Sequence, residues 1–168
     1  MRSRAVDVGP WSRRRCIGLG VLGLAFWGRG TAWAATAPVR LSVPDSLLSA
    51  LTDALHRHEP LVVMVSLPGC PFCHVARNNY LGPMARDQGL QVVQVDMRNP
   101  RALVDFDGQT RSQDEVTRRW GIRVAPTLLF FGPSGREVAE RLEGGSLPDF
   151  YGAYLDERVR AARAALAK

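Results

Sequence analysis

Apolar and polar positions change their period several times along the chain, and each change marks an element. Leu47, Leu48, Leu51, Ala54 and Leu55 recur with helical spacing after Pro44-Asp45-Ser46. They predict an amphipathic helix capped by Asp45 or Ser46, ending in His56-Arg57-His58-Glu59 before Pro60. Residues 61–67 form a continuous apolar run between Pro60 and Pro68, rich in β-branched side chains. That pattern predicts a strand buried on both faces. Helical spacing returns after residue 70, through Val75, Asn79 and Leu81, until Gly82-Pro83 interrupts or kinks it. Residues 90–95 alternate and predict a second core strand, which ends at Asp96. Residues 97–113 read as loop. A short helix over 114–120 stops at Gly121. Residues 127–131 predict a strand, Gly132-Pro133-Ser134-Gly135 a hairpin turn, and residues 136–142 an antiparallel return with Val138 and Leu142 between charges. A last amphipathic helix begins near Ser146 and carries Leu147, Phe150, Tyr151, Tyr154, Leu155 and Val159. Residues 38–43 predict a short edge strand. The order of elements is that of one α/β unit.

Charge changes the picture at one end. The chain has 168 residues, a formal net charge of +6 and a pI near 10.0. Residues 1–34 hold six arginines against one acid, Asp7. The remainder carries 16 basic and 15 acidic residues, so the high pI is no sign of a nucleic-acid partner, and none is expected. The basic stretch is followed by a weakly apolar segment, residues 17–27, and by Ala32-Trp33-Ala34. This is the three-part plan of a secretory signal peptide cleaved near Ala34. It leaves residues 35–168 as one domain, and it predicts a periplasmic protein. Ser12-Arg13-Arg14-Arg15-Cys16-Ile17 resembles a twin-arginine signal, and Gly18, Gly20 and Gly23 lower the hydrophobicity as such signals require. Cys16 stands where a bulky apolar residue is expected. The apolar segment is shorter than the ~20 residues needed to span a bilayer.

The candidate chemistry lies in Cys70-Pro71-Phe72-Cys73-His74. Cys-x-x-Cys is a dithiol motif of thiol–disulfide exchange, and Cys-x-x-Cys-His is also an attachment signature for c-type haem. Here the cysteines sit where a buried strand meets a helix N-terminus, whose unpaired N–H groups stabilise a thiolate. Pro71 suits the first helical turn, and the i, i+3 spacing lets the sulfurs bridge. A purely structural disulfide across so small a loop would restrain the unfolded chain little. In the haem alternative, Cys70 and Cys73 hold thioethers and His74 ligates iron, with Met84 or Met97 as axial ligand. A packed α/β sheet leaves little space for that group. His56 and His58 could ligate a metal, but solvated histidines at a helix end are the plainer reading. Asp105-Phe106-Asp107-Gly108 resembles part of a calcium loop, yet its later ligands are out of register, so it reads as a turn. No metal site and no cofactor are assigned.

A strand, Cys-x-x-Cys at a helix start, a second strand, a helix, and then Gly121-Ile122-Arg123-Val124-Ala125-Pro126-Thr127 before a hairpin together resemble thioredoxin. Val104-Asp105-Phe106-Asp107-Gly108 and residues 131–138 are similar to its exported branch, which includes disulfide reductases and isomerases. The resemblance spans about residues 60–160. It implies a thioredoxin-like fold, a central mixed β-sheet flanked by helices. It implies that Cys70 attacks as a thiolate and that Cys73 resolves the mixed disulfide. It also implies a cis bond before Pro126, which faces the disulfide, and an Ala125 backbone that pairs with a substrate strand, beside Pro71 and Phe72. The partners implied are protein disulfides and a membrane electron donor, with the protein a monomer. Two positions depart from the pattern. Thioredoxin carries a buried acid where this chain has Met64, so water or a nearby group must take the Cys73 proton. Pro71-Phe72 between the cysteines resembles glutaredoxin, which keeps a glutathione-dependent reductase as an alternative. The sequence shows no separate dimerisation domain, and residues 97–113 are too short for the helical insertion of dedicated oxidants. A reductase is therefore expected.

Overall fold

The computed structural model describes residues 39–144 and 148–167. The signal peptide over residues 1–34, the cleavage point near Ala34, Cys16, Pro38, Ser146 and Leu147 lie outside the described residues. Helix α1 spans Leu47–His56, strand β1 Leu61–Ser66, helix α2 Pro71–Val75 and helix α3 Gly82–Gln88. Strand β2 spans Gln91–Asp96, β3 Ala102–Val104 and β4 Thr110–Ser112. Helix α4 spans Gln113–Arg119, β5 Thr127–Gly132, β6 Arg136–Glu143 and helix α5 Pro148–Leu166. The main sheet runs in the order β2-β1-β5-β6. β1 is parallel to β2 and antiparallel to β5, and β5 is antiparallel to β6, so the sheet is mixed. With helices on both faces this is a thioredoxin-like fold.

The unbroken apolar run of β1 has its explanation in two separate cores. Leu61, Val63 and Val65 point into one, with Leu47 and Leu51 of α1, Val116 of α4 and Phe131. Val62 and Met64 point into the other, with Cys73, Leu81, Phe130 and, from α5, Tyr151, Leu155 and Val159. A strand covered on both faces cannot alternate apolar with polar. Each fully buried Val or Leu contributes about 1.5–3 kcal/mol, so β1 is expensive to disturb.

The helical face is narrower than its apolar residues suggested. Leu48 of α1 and Phe150 and Tyr154 of α5 are exposed, while Leu47, Leu51, Tyr151, Leu155 and Val159 are buried. Ser46, not Asp45, caps α1, accepting the Ser49 amide at 3.1 Å. The edge strand expected from residue 38 reduces to a single parallel bridge between Ser42 and Val93, with Gln94 N–H donating to Ser42 O at 2.8 Å. Pro44 follows two residues later and cannot extend a ladder.

Gly82-Pro83 does not end the helix. A π-helical segment, Ala76–Leu81, joins α2 to α3. The Gly82 N–H donates to Arg77 O, one residue further back than in an α-helix. Widening the turn in this way makes room for the Pro83 ring, which would meet the carbonyl four residues earlier in a regular helix. Gly82 also lets the leading segment come close. A Cβ there would lie 2.5 Å from Val39 Cγ1.

The stretch 97–113 is not all loop. β3 and β4 form a small hairpin, closed by Asp105 N–H donating to Gln109 O at 2.9 Å. Its strands have three residues each, too few for alternation to be legible. Asp105 and Asp107 both pair with Arg111, and each also accepts a backbone N–H of the turn, from Phe106 and Gln109. The Arg111 guanidinium and the Gln109 N–H hold the Asp107 carboxyl down at about 2. Ser112 and Glu115 then form a capping box that starts α4 at residue 113. Under this hairpin Phe106 packs on Trp120 and Phe131, with ring centroids 6.0 and 4.6 Å away.

Two substitutions test this packing. Gly135 has φ +66°, and a Cβ on it would fall 2.7 Å from Phe106 Cβ and Cγ. We expect Gly135→Ala to destabilise the protein by roughly 2–4 kcal/mol, from left-handed backbone strain and overpacking together, measured by urea unfolding. The Tyr151 hydroxyl is buried with no hydrogen-bond partner, and burial, with Tyr80 nearby, pushes its ionisation upward. Tyr151→Phe should raise stability by about 1 kcal/mol at neutral pH. A folded state that keeps the phenol protonated loses stability as pH rises past the ordinary tyrosine value near 10. The variant should lack that component of alkaline unfolding.

Candidate functional site

β1 ends at Ser66, and a turn over Leu67-Pro68-Gly69 delivers Cys70 to the first position of the next helix. The Cys70 N–H donates to Leu67 O at 3.1 Å, and Gly69 takes the left-handed φ of +77° that the turn requires. Cys70 is the N-cap of α2, and Pro71 occupies the first helical position. The Cys73 backbone N–H donates to Cys70 Sγ at 3.2 Å. Sulfur thus takes the place of the usual hydroxyl or carboxylate cap. A thiolate at this position would gain from the free N–H groups and the positive end of a helical column that continues through the π segment to Gln88.

The two cysteines form a disulfide with Cα atoms 5.3 Å apart. They face different surroundings. Cys70 is half-buried, and its Sγ lies 3.7 Å from the Ala125 carbonyl oxygen. Cys73 is 1% exposed and packs in the second core with Met64, Ala76 and Leu128. The Ala125–Pro126 bond is cis. Thr127 Oγ1 donates to Val124 O at 2.8 Å and ties this loop down as it enters β5. Pro126 is buried. Pro71 is exposed, and Phe72 is 51% exposed. The structure therefore brings Cys70, Cys73, Pro71, Phe72, Ala125 and Pro126 to one end of the sheet.

The haem geometry does not assemble. Cys73 is enclosed by core side chains. Met84 is buried in the second core, while Met97 packs against the first core on the other side of the sheet. His74 is exposed and points to a cleft beside α2. The two candidate axial methionines thus lie in different cores and do not converge with His74 on one face.

Several neighbours were not legible in the sequence. Val124 is 45% exposed and Val75 43% exposed, an apolar margin beside the pair. Met64 occupies the place of the expected acid, and its register partner on β2 is Gln94. Gln94 accepts from Arg77 Nε at 3.0 Å and donates through Nε2 to Asp96 Oδ1 at 2.7 Å. An Arg77 Nη lies 3.5 Å from Ser66 Oγ, which is itself buried. The carboxylate on this face is thus Asp96, on the neighbouring strand and reached through an amide. Only Arg77 carried a sequence signal, as the residue four positions after Cys73. Gln94, Ser66 and Asp96 join through cross-strand register.

Fold and sulfur pair together define a thiol–disulfide oxidoreductase. The chain belongs to the thioredoxin-like domain family, whose sequence model matches residues 47–158. It is similar to a solved structure described as DsbH oxidoreductase, at 17% identity over 82% of this chain and 94% of that one, with a TM-score of 0.49. It is also similar to mitochondrial thioredoxin 3 of Saccharomyces cerevisiae, at 12% identity over 71% and 93%, TM-score 0.47. A third likeness is to the periplasmic thioredoxin SoxS of Paracoccus pantotrophus, at 19% identity over 62% and 99%, TM-score 0.42. No curated protein matches the sequence. Among the described residues no helix is long and apolar enough to cross a membrane.

The unequal burial of the two sulfurs has a direct readout. After reduction, iodoacetamide should alkylate Cys70 at least about tenfold faster than Cys73. Mass spectrometry of the singly modified protein checks this, and faster labelling of Cys73 would reverse the assignment.

Proposed function

We propose that the protein is an exported disulfide reductase that works through Cys70 and Cys73. The observation that carries the reading is the asymmetry of the pair. One sulfur is open, caps a helix and lies beside the Ala125 carbonyl, and the other is enclosed one turn further in. The Cys70 thiolate attacks a substrate disulfide, and the first substrate sulfur leaves as a thiolate. Cys73 then loses its proton and attacks Cys70 Sγ, which releases the second substrate sulfur. Two electrons pass to the substrate, and the protein is left with the Cys70–Cys73 bond. A protein substrate lies extended along the Ala125-Pro126 loop, its backbone paired with Ala125 and its side chains against Pro71 and Phe72. The exposed Val124 supports this placement, because it adds apolar surface on the same side.

With no acid at Met64, the Cys73 proton leaves to water or through the polar group of Arg77, Gln94 and Asp96. Residues 1–34 support export, with residues 35–168 as the mature domain, acting as a monomer in the periplasm. The direction of electron flow rests on the short segment between β2 and α4, filled by the β3–β4 hairpin. A membrane electron donor then returns the pair to the dithiol.

Cys70→Ser should abolish reduction of a protein disulfide, and Cys73→Ser should accumulate mixed disulfides with substrate, seen as adducts on non-reducing gels. The reduction potential of the pair checks the direction. A value near that of thioredoxin, about −270 mV, fits a reductase, and a value near −120 mV would mark an oxidant.

A further inference from the structure

A cleft of about 400 Å3 opens beside α2, between the helix and the leading segment that bridges to β2. Its polar wall is Arg40, His74, Arg77, Asn78 and Gln94, and its apolar floor includes Leu41. Among the described residues no carboxylate lines it. Arg77 and Arg40 make no ion pair among the described residues, where most other arginine contacts shown are to acids. The Arg77 guanidinium has five N–H donors, and its partners are two neutral groups, Gln94 and Ser66. Asn78 Oδ1 is buried without a partner. The cleft thus has unused guanidinium N–H donors and positive charge in the same place, while the unpartnered Asn78 oxygen is an acceptor and takes no part in holding an anion.

Its position relates it to the sulfur pair. His74 follows Cys73 directly, and Arg77 and Asn78 come one turn later. By helical rise, His74 lies about 6 Å and Arg77 about 10 Å along the axis from Cys70. A small molecule with a sulfur at one end and a carboxylate at the other spans that distance. The volume is within the range of small-ligand sites, roughly 300–1,000 Å3. The Ala125 loop, along which a protein substrate would lie, does not line this cleft.

The geometry points to an anion subsite for small carboxylate-bearing disulfides and their thiols, with Arg77 and Arg40 gripping the carboxylate while the sulfur meets Cys70. This rests on the exchange reading given above. The Cys70 thiolate takes one sulfur of the small disulfide and releases the other half as a thiolate. Cys73 then displaces the bound half as a second thiolate, and the carboxylates are unchanged. The electrons come from a dithiol supplied to the protein.

Two arms test it. In the first, thiodipropionate, a thioether dicarboxylate that cannot exchange, is titrated into the oxidised protein and followed by NMR. Saturable shifts of the Arg77 Nε–H and the Asn78 side-chain amide are expected, and they should be lost in an Arg40→Gln/Arg77→Gln double variant. Absence of saturation, or the same saturation in the double variant, overturns the subsite. In the second arm, reduced protein is offered dithiodipropionate and the neutral hydroxyethyl disulfide, with dithiothreitol as reductant. The ratio of the two kcat/KM values should fall about tenfold or more in Arg77→Gln, the size of one charge-assisted hydrogen bond. Arg40→Gln, at an exposed position, should lower the same ratio. A fall of both rates by one factor, with the ratio unchanged, overturns the proposal and leaves disulfide exchange standing. If neither disulfide is turned over, the exchange reading fails, and the thiodipropionate titration still decides the cleft.

Discussion

Cys70 Sγ accepts the Cys73 amide, bonds the Cys73 sulfur and lies 3.7 Å from the Ala125 carbonyl. Those three relations need four elements in fixed places. β1 must end at the right height, the Leu67–Gly69 turn must reverse the chain, α2 must begin without delay, and the loop before β5 must come alongside. β1 can hold that position because both of its faces are packed. Any shift of the strand would uncover Leu61, Val63 and Val65 on one side or Val62 and Met64 on the other. The strand is rigid because it is buried twice, and the sulfur pair inherits that rigidity.

The helix that carries the pair makes a compromise further along. Pro83 would clash in a regular α-helix, and the π segment at Ala76–Leu81 absorbs it. That segment begins immediately after α2. Within it, Arg77 donates to Gln94 and Ser66 rather than to an acid. Where the fold's pattern would place a carboxylate under the second cysteine, this chain has Met64. The charges nearby are a guanidinium held by neutral partners and an aspartate one strand over. A cationic margin beside a dithiol favours anionic partners on grounds of long-range attraction alone.

The apolar and cationic surfaces lie on different sides of α2. Phe72 and Val75 project from one side, with Val124 contributed by the loop before β5. His74, Arg77 and Asn78 line the cleft on the other. One helix therefore offers two kinds of surface on either side of a single open sulfur.

Much of the fold was legible in the residues themselves. The unbroken run 61–67 required a doubly covered strand, and Cys70-Pro71 after it required a helix start. Asp96, Gly121 and Gly132 to Gly135 punctuated the chain within a residue or two of the observed ends. These features are local, so propensity and period suffice to see them. The cis bond at Pro126 came from resemblance, and the structure has it, with the Ala125 carbonyl 3.7 Å from Cys70 Sγ. What the residues did not disclose depends on pairing across the sheet or on very short elements. The β3–β4 hairpin has too few residues for a period, and its turn is held by Asp105, Asp107 and Arg111 acting together. Leu48, Phe150 and Tyr154 are apolar positions of α1 and α5 yet face outward, which only the packed structure reveals. Gln94 meets Arg77 only because β2 pairs with β1 in the register that sets it opposite Met64. Sequence alone determined the two cysteines, their helix and the strand that delivers them, since each is encoded within a few neighbouring residues. Tertiary structure decided which charges surround them, because residues distant along the chain meet only once the sheet has formed.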